Sequence, residues 1–456
     1  MGNTAGRPRP ALLPFPARIR TPQIVAGSPP GAQDEEQGQP NLDGLTVPFH
    51  LWPAIVLTGA GAGLAGGLLM RLLRVVQHVC YSYSHGDFLS GVEGVAAWRR
   101  PVVLLCAGVL AGFALLLIRR IRDSDGPGLT EAIWQHFGKL PERSMAARAV
   151  LSVIIVGMGA AIGREAALKQ AGALVGGKLS DWTPSSFKLT PEQRRLLVAC
   201  GAGAGMAAAY NVPLGGALFT LEVLLGSLSL GTVIPAFVTS FLATAVSWLL
   251  LPNAATYQVP SLPATQSLLM WSLVCGPLLG LGAALMARGI HWAQNHKPAG
   301  RAVVIAPIVI FLAIGLAAIP FPQLLGNGKN VVQLAFDAHV TGGLLIALLV
   351  LRPMATMLCL RAGAPGGLFT PTMTFGALLG AGFGEAWNYL TAATDKRSCA
   401  IIGAGAVLAA ATQAPISSVA FILELTYNAN TLMVPLLIAV AGATLTFRVI
   451  KLKSIY

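Results

Sequence analysis

Apolar residues in this chain run too long and too continuously for a soluble core. Residues 49–70, 101–118, 233–251, 268–286, 302–321 and 432–447 carry almost no charge. A helix of about 20 apolar residues crosses a hydrocarbon layer ~30 Å thick, so each run predicts a spanning segment. Between them lie shorter apolar pieces bounded by Gly and Pro, at 145–162, 196–209, 214–226, 400–411 and 416–425. Helices that stop at membrane depth are tolerated only where their freed backbone groups are buried in protein or line a cavity. Their N-termini carry unpaired N–H groups and the positive end of the helix dipole, which suit an anion. The pattern predicts an all-α polytopic membrane protein with broken and tilted helices.

The pattern also repeats. Residues 201–223 read GAGAGMAAAYNVPLGGALFTLEV and residues 403–425 read GAGAVLAAATQAPISSVAFILEL, matched without a gap 202 positions apart. An Ala/Gly bias explains some identities, but not Pro213/Pro415, Phe219/Phe421 and Glu222/Glu424 in register. Interrupted apolar segments at corresponding places in two halves point to a central binding site in a transporter or channel. The halves are expected at about 50–250 and 265–456, within one membrane domain from residue 46 to 456. Residues 1–45 are rich in Pro, Gly and Arg, then acidic at Asp34–Glu36. That stretch cannot bury a core and is expected to be a disordered tail, with no signal-peptide apolar core. No C-terminal regulatory domain is expected.

Composition agrees: 54% of residues are hydrophobic and 11% charged, and the mean hydropathy is +0.67. The net charge of +13 forms no nucleic-acid-binding run. Arg119, Arg120 and Arg122 end one apolar run, and Lys451 and Lys453 follow the last. The positive-inside rule puts those ends, and both termini, in the cytoplasm; Arg99 and Arg100 fit that arrangement less well. The six cysteines and seven histidines are scattered, without ligand spacing, so no metal and no cofactor is expected. No Ser–His or Ser–Lys pair stands inside the spans, which argues against an intramembrane enzyme.

Three short motifs carry candidate chemistry. In Gly163-Arg164-Glu165 a glycine precedes an ionisable residue in the first turn of a helix, facing its positive end. The weaker alternative for Glu165 is a helix-end charge or an ion pair with Arg164. Gly366-Gly367-Leu368-Phe369 again sets glycines before a helix, and Gly163/Gly367 and Glu165/Phe369 are both 204 apart. At Asp123-Ser124-Asp125-Gly126-Pro127, a hydroxyl and neighbouring N–H groups could hold an anion, or Ser124 or Asp125 could cap a helix.

Together these motifs resemble the CLC family of chloride channels and chloride/proton antiporters, in its short bacterial ClcB-like branch. Gly163, Arg164 and Glu165 match its G-[KR]-E-G-P motif. Gly367, Phe369 and Pro371 match G-x-F-x-P, and Ser124 and Pro127 match part of G-S-G-x-P. Tyr456 falls on the tyrosine of its last membrane motif. The resemblance covers roughly residues 49–456 and implies an inverted repeat, a homodimer with one anion pathway per subunit, and a multi-pass place in the cell membrane (the inner membrane if the source is Gram-negative). Partners would be chloride, the bilayer, a second copy of the chain, and protons if transport is coupled.

By the same resemblance, Ser124 and Tyr456 would hold a central chloride through their hydroxyls. Backbone groups around Gly163, Arg164, Glu165, Gly367, Leu368 and Phe369 would bind anions above it. Glu165 would be the gate, its carboxylate competing with chloride until protonated. Neutral donors would then hold the ion without the deep well of a fixed Lys or Arg. Ser124 and Phe369 speak against the family's fluoride-exporting branch.

Several positions depart from the pattern. Ala166 and Ala167 replace a glycine and a proline, Asp123 and Asp125 replace glycines, and Val223 stands where proton-coupled members carry an inner glutamate. Val223 favours passive conduction over exchange, and Glu222 and Glu424 read as structural carboxylates. Tyr456 is the last residue given, so what holds it is left open.

Overall fold

The computed structural model describes residues 47–83, 86–124, 126–183, 189–391, 394–427 and 430–456. The predicted tail at 1–45 lies outside them, as does Asp125. The first half runs through α1 (Trp52–Tyr81), α2 (Phe88–Gly94), α3 (Arg99–Ile118), α4 (Leu129–Gln135) and α5 (Glu142–Gly157). It continues with α6 (Glu165–Trp182), α7 (Pro191–Tyr210), α8 (Pro213–Phe219, extended by a π-helical turn over Thr220–Leu225) and α9 (Leu230–Ser247). The second half comprises α10 (Gln266–Asn295), α11 (Ala302–Ala317), α12 (Lys329–Phe336) and α13 (Gly342–Arg361). It ends with α14 (Phe369–Thr391), α15 (Lys396–Thr412), α16 (Pro415–Thr426) and α17 (Met433–Val449).

Apart from α2, every helix of the first half has a counterpart in the second, in the same order. Packing repeats as well: α6 lies on α7 as α14 lies on α15, and α1 on α9 as α10 on α17. Counterparts also meet each other, α3 on α11 and α8 on α16. Matched elements in contact across an antiparallel bridge require a local two-fold, which inverts one half against the other.

The glycines of the duplicated block explain the closest of these contacts. A Cβ on Gly172 of α6 would overlap the Gly201 carbonyl of α7, and one on Gly376 of α14 would overlap the Gly403 carbonyl of α15. Small residues at such crossings let backbones approach where lipid supplies no hydrophobic drive. The helix breaks are duplicated too. Asn211 (φ 57°) and Gln413 (φ 55°) close α7 and α15 in the left-handed region, and Pro213 and Pro415 then open α8 and α16 at N1.

Among the described residues, five helices are long and apolar enough to cross a membrane: Phe49–Tyr81, Arg99–Ile118, Leu230–Ser247, Gln266–Asn295 and Gly342–Arg361. Two predicted spans form helices below that length. The 302–321 run yields a helix of 16 residues, because its end runs into Pro320 and Pro322, and α17 has 17 residues. The helix over Gly342–Arg361 was absent from the predicted spans because Arg352 and Pro353 interrupt its apolar run. Arg352 is buried, and its guanidinium donates to the carbonyls of Leu324 and Gly326 (2.5 Å to the latter). Its counterpart Arg148 holds the Ser124 carbonyl at 2.8 Å. Both arginines thus pin the loops that enter α4 and α12.

Candidate functional site

Gly163 and Gly367 hydrogen-bond each other twice, N–H to carbonyl at 2.9 and 2.6 Å. This bridge brings the starts of α6 and α14 together in the protein interior. A Cβ on either glycine would overlap Glu165 Oε2, so the residues must be glycine for the carboxylate to lie where it does. Glu165 opens α6 and is fully buried. Its carboxylate does not face its own helix end, as the sequence suggested, but crosses to the other half. There Oε1 accepts from the Thr370 N–H at 2.9 Å, from the Thr370 hydroxyl, and from the Tyr210 hydroxyl at 2.8 Å. Oε2 is buried without a partner. The carboxylate therefore sits as an anion would, against an unpaired N–H of the first turn of α14.

Tyr210 links this carboxylate to the surface side. Its hydroxyl meets Thr370 Oγ1 at 3.1 Å and Arg164 Nε at 3.4 Å, and the Arg164 guanidinium lies 4.8 Å from the centre of its ring. Arg164 forms part of the wall of a vestibule of about 610 Å³. Arg74 and Lys329 line the same vestibule, with Asp87 and Asp337 as its acidic members. Three cations at a mouth above a buried anion-like site attract small anions.

On the other side of Glu165, aromatic rings form a chain. Tyr210 and Phe369 have ring centres 6.3 Å apart, Phe369 and Phe421 4.7 Å, Phe421 and Phe219 6.3 Å, and Phe219 and Tyr456 5.8 Å. Leu368, between the bridge and α14, is buried alongside. Lys169, one turn below Glu165 on α6, enters this wall. Its ammonium lies 3.9 Å from the Tyr456 ring centre and 5.2 Å from that of Phe219. A lysine side chain thus packs on Tyr456, beside residues from which only neutral donors were expected.

The family model for voltage gated chloride channels matches residues 103–448. The chain belongs to the CLC family. It is 30% identical over 414 residues to a putative chloride channel protein ClcB-like of Ralstonia nicotianae, covering 88% of this chain and 94% of the relative. The voltage-gated ClC-type chloride channel ClcB of Salmonella typhimurium is 29% identical (88% and 96% covered). An H(+)/Cl(-) exchange transporter ClcA of Klebsiella pneumoniae is 30% identical (78% of each). Among solved structures, a slow cyanobacterial Cl-/H+ antiporter superposes with a TM-score of 0.77 at 23% identity, covering 89% of this chain and 96% of that one.

Within this CLC frame the departing residues acquire definite places. Asp123 turns away from the interior: its carboxylate accepts from the N–H groups of Arg143 and Ser144 at 3.0 and 3.1 Å and caps α5. Asp125 lies outside the described residues. Ser124 does not cap α4, whose N-cap is Gly128; its hydroxyl donates to the Arg119 carbonyl at 3.3 Å.

Tyr456 is held from behind. Ile455 N–H donates to the Ala411 carbonyl at 3.0 Å, the Ser454 hydroxyl donates to Thr412, also at 3.0 Å, and His291 Nε2 lies 3.2 Å from the Ser454 carbonyl. These contacts tie the last residues to the end of α15 and to α10. The Tyr456 hydroxyl is buried and has no partner.

Glu222 and Glu424 cap each other's half. Glu222 accepts from Ile416 and Ser417 N–H at 3.1 and 2.7 Å, and Glu424 from Leu214 and Gly215 N–H at 2.9 and 2.6 Å. Both are structural carboxylates at the α8–α16 contact. Val223 sits beside Glu222 on the π-helical turn, half-buried.

Sequence reasoning missed Tyr210, Thr370 and Lys169. Tyr210 had a signal: it breaks the alanine run 207–209 immediately before the duplicated helix break. Lys169 had one too, as the only lysine within the apolar stretch that follows Glu165 up to Gly177. Thr370 had none beyond its neighbour Phe369.

Proposed function

We propose that this protein conducts chloride or a similar small anion passively across the membrane, with Glu165 as the gate. The observation that carries the reading is the Glu165 carboxylate held by the Thr370 N–H and hydroxyl and by Tyr210. The carboxylate and chloride compete for the Thr370 N–H at the start of α14, and a proton on Glu165 removes the competitor. The bound ion then contacts the backbone at Gly163, Arg164, Gly367, Leu368 and Phe369. Below it, the Tyr456 hydroxyl faces a central ion, and Ser124 joins it once its hydroxyl turns from the Arg119 carbonyl. Anions enter through the vestibule of Arg74, Arg164 and Lys329. The work is transport rather than chemistry on a substrate. Two copies of the chain form a homodimer, each with its own pathway, in a cell membrane with both termini on the cytoplasmic side.

Val223 supports passive conduction, because it offers no proton-carrying group on the inner side. Coupled chloride/proton exchange is the second reading, favoured by the relative named as an exchange transporter and by the protonatable gate. Proteoliposomes with a chloride gradient separate the two. Passive conduction gives chloride efflux once a potassium ionophore balances charge, with no proton movement. Uphill proton movement driven by chloride, and lost in Glu165→Gln, would establish exchange instead.

A further inference from the structure

Lys169 is 7% exposed, yet among the described residues it makes no ion pair and no hydrogen bond. Its ammonium lies against the faces of Tyr456 and Phe219. Contact with aromatic faces offsets only part of the cost of taking a cation out of water. Two further buried groups near it lack partners: the Tyr456 hydroxyl, a donor, and Glu165 Oε2, an acceptor. Glu165 stands one helical turn above Lys169 on the same face of α6, within electrostatic reach of both Lys169 and Tyr456. An unpaired cation, an unpaired hydroxyl and a carboxylate with one free oxygen thus lie within electrostatic reach of one another in the interior.

We propose that Lys169 is an anion-binding residue of the pathway, placing a full positive charge beside the ion that Tyr456 contacts. The inference rests on the anion-transport reading above and adds a residue to it. When the Glu165 carboxylate lies inward it supplies the neutralising charge; when it leaves, a mobile anion takes over that task. Net charge at the position stays near zero in both states, so exchanging carboxylate for chloride leaves no bare buried cation. The second half has no equivalent: the position 204 residues on is Met373, an apolar side chain of similar length. The cation therefore belongs to one half only, the one that carries the gate. Its consequence is a deeper anion well than neutral donors provide, with tighter binding and slower release.

The test is chloride binding by isothermal titration to the purified full-length protein in detergent, in buffer with a large impermeant anion. Lys169→Met borrows the side chain of the counterpart position, with Lys169→Gln as a second neutral variant should the first not fold. The proposal expects chloride to bind about tenfold or more weakly to either neutral variant, the order of effect for removing one member of a buried charge pair. Lys169→Arg should stay within about threefold of the unmodified protein, since charge is kept. The same loss should occur in a Glu165→Gln background, where no carboxylate competes. Unchanged affinity in a folded neutral variant overturns the proposal. A loss confined to the Glu165 background also overturns it, since Lys169 would then serve the carboxylate alone. If the unmodified protein binds no chloride at all, the transport reading itself falls.

Discussion

Gly163 and Gly367 lock together through two reciprocal backbone hydrogen bonds, and the Glu165 carboxylate lies where a Cβ on either would stand. One glycine pair therefore does two tasks. It joins the starts of α6 and α14, and it clears the space for the Glu165 carboxylate.

Replacing either glycine with alanine should push the carboxylate off the Thr370 N–H. Overpacking in a filled interior typically costs about 1–3 kcal/mol, here at a site with no slack toward backbone. The expected result for Gly163→Ala or Gly367→Ala is a lower melting temperature in detergent. A crystal structure should show Glu165 displaced from Thr370. An unshifted Glu165 in either variant would refute the packing argument.

The symmetric caps make a second prediction. Glu222 holds two N–H groups of α16, and Glu424 holds two of α8, so the substitutions Glu222→Gln and Glu424→Gln are equivalent by construction. Each removes charge from a pair of charge-assisted hydrogen bonds, a loss of about 1–3 kcal/mol. Denaturant melts of the two variants should shift alike. Because both carboxylates meet at the α8–α16 contact, the double variant should depart from additivity. Chloride flux in surviving protein should be unchanged; a large flux defect in Glu222→Gln alone would show that it does more than cap a helix.

Tyr210 donates to the Glu165 carboxylate from the vestibule side. Tyr210→Phe keeps the ring packed on Phe369 but removes the hydroxyl that joins Arg164, Glu165 and Thr370. With one donor fewer, the carboxylate is held less firmly against competing chloride. A hydrogen bond to a charged acceptor is worth about 1.5–3 kcal/mol, so the open fraction should rise by about tenfold or more, up to full opening. Stopped-flow chloride flux from proteoliposomes at neutral pH measures this. Flux equal to or below that of the unmodified protein would show that Tyr210 does not hold Glu165 against chloride.

Much of this was legible in the sequence because the repeat is written in residues with strong backbone meaning. Pro213 and Pro415 mark helix starts, and Gly163 and Gly367 mark the bridge, so the two halves and their meeting point could be read without coordinates. What could not be read was where side chains cross between halves. Glu165 seemed to belong to its own helix end, yet it bonds to Thr370, 205 positions away. Lys169 was invisible for a related reason: on a helical face its ammonium could have reached solvent, and only the positions of Phe219 and Tyr456 bring it inside. Helix 342–361 escaped because a buried arginine looks like a boundary until its carbonyl partners are known.

The vestibule yields a pH dependence. Lys329 stands outside the membrane-length helices, at the start of α12. Burial, with Arg164 and Arg74 adding repulsion and Asp87 partly opposing them, brings its ammonium down to about 8. It is therefore charged below pH 8 and neutral above. Of the acidic groups on the same wall, Asp337 accepts from Gln333 at 3.1 Å, and Asp87 from Ser90 at 3.0 Å and from Asn330. Raising pH from 7 to 9 on the vestibule side thus removes one of three cations at the mouth. Anion entry should slow by about two- to threefold at low ionic strength, and by less at 0.15 M salt, where the screening length is about 8 Å. Lys329→Met should start at the slow rate and lose the alkaline step, while Lys329→Arg should keep the fast rate through pH 9. Persistence of the step in Lys329→Met would assign it to another group.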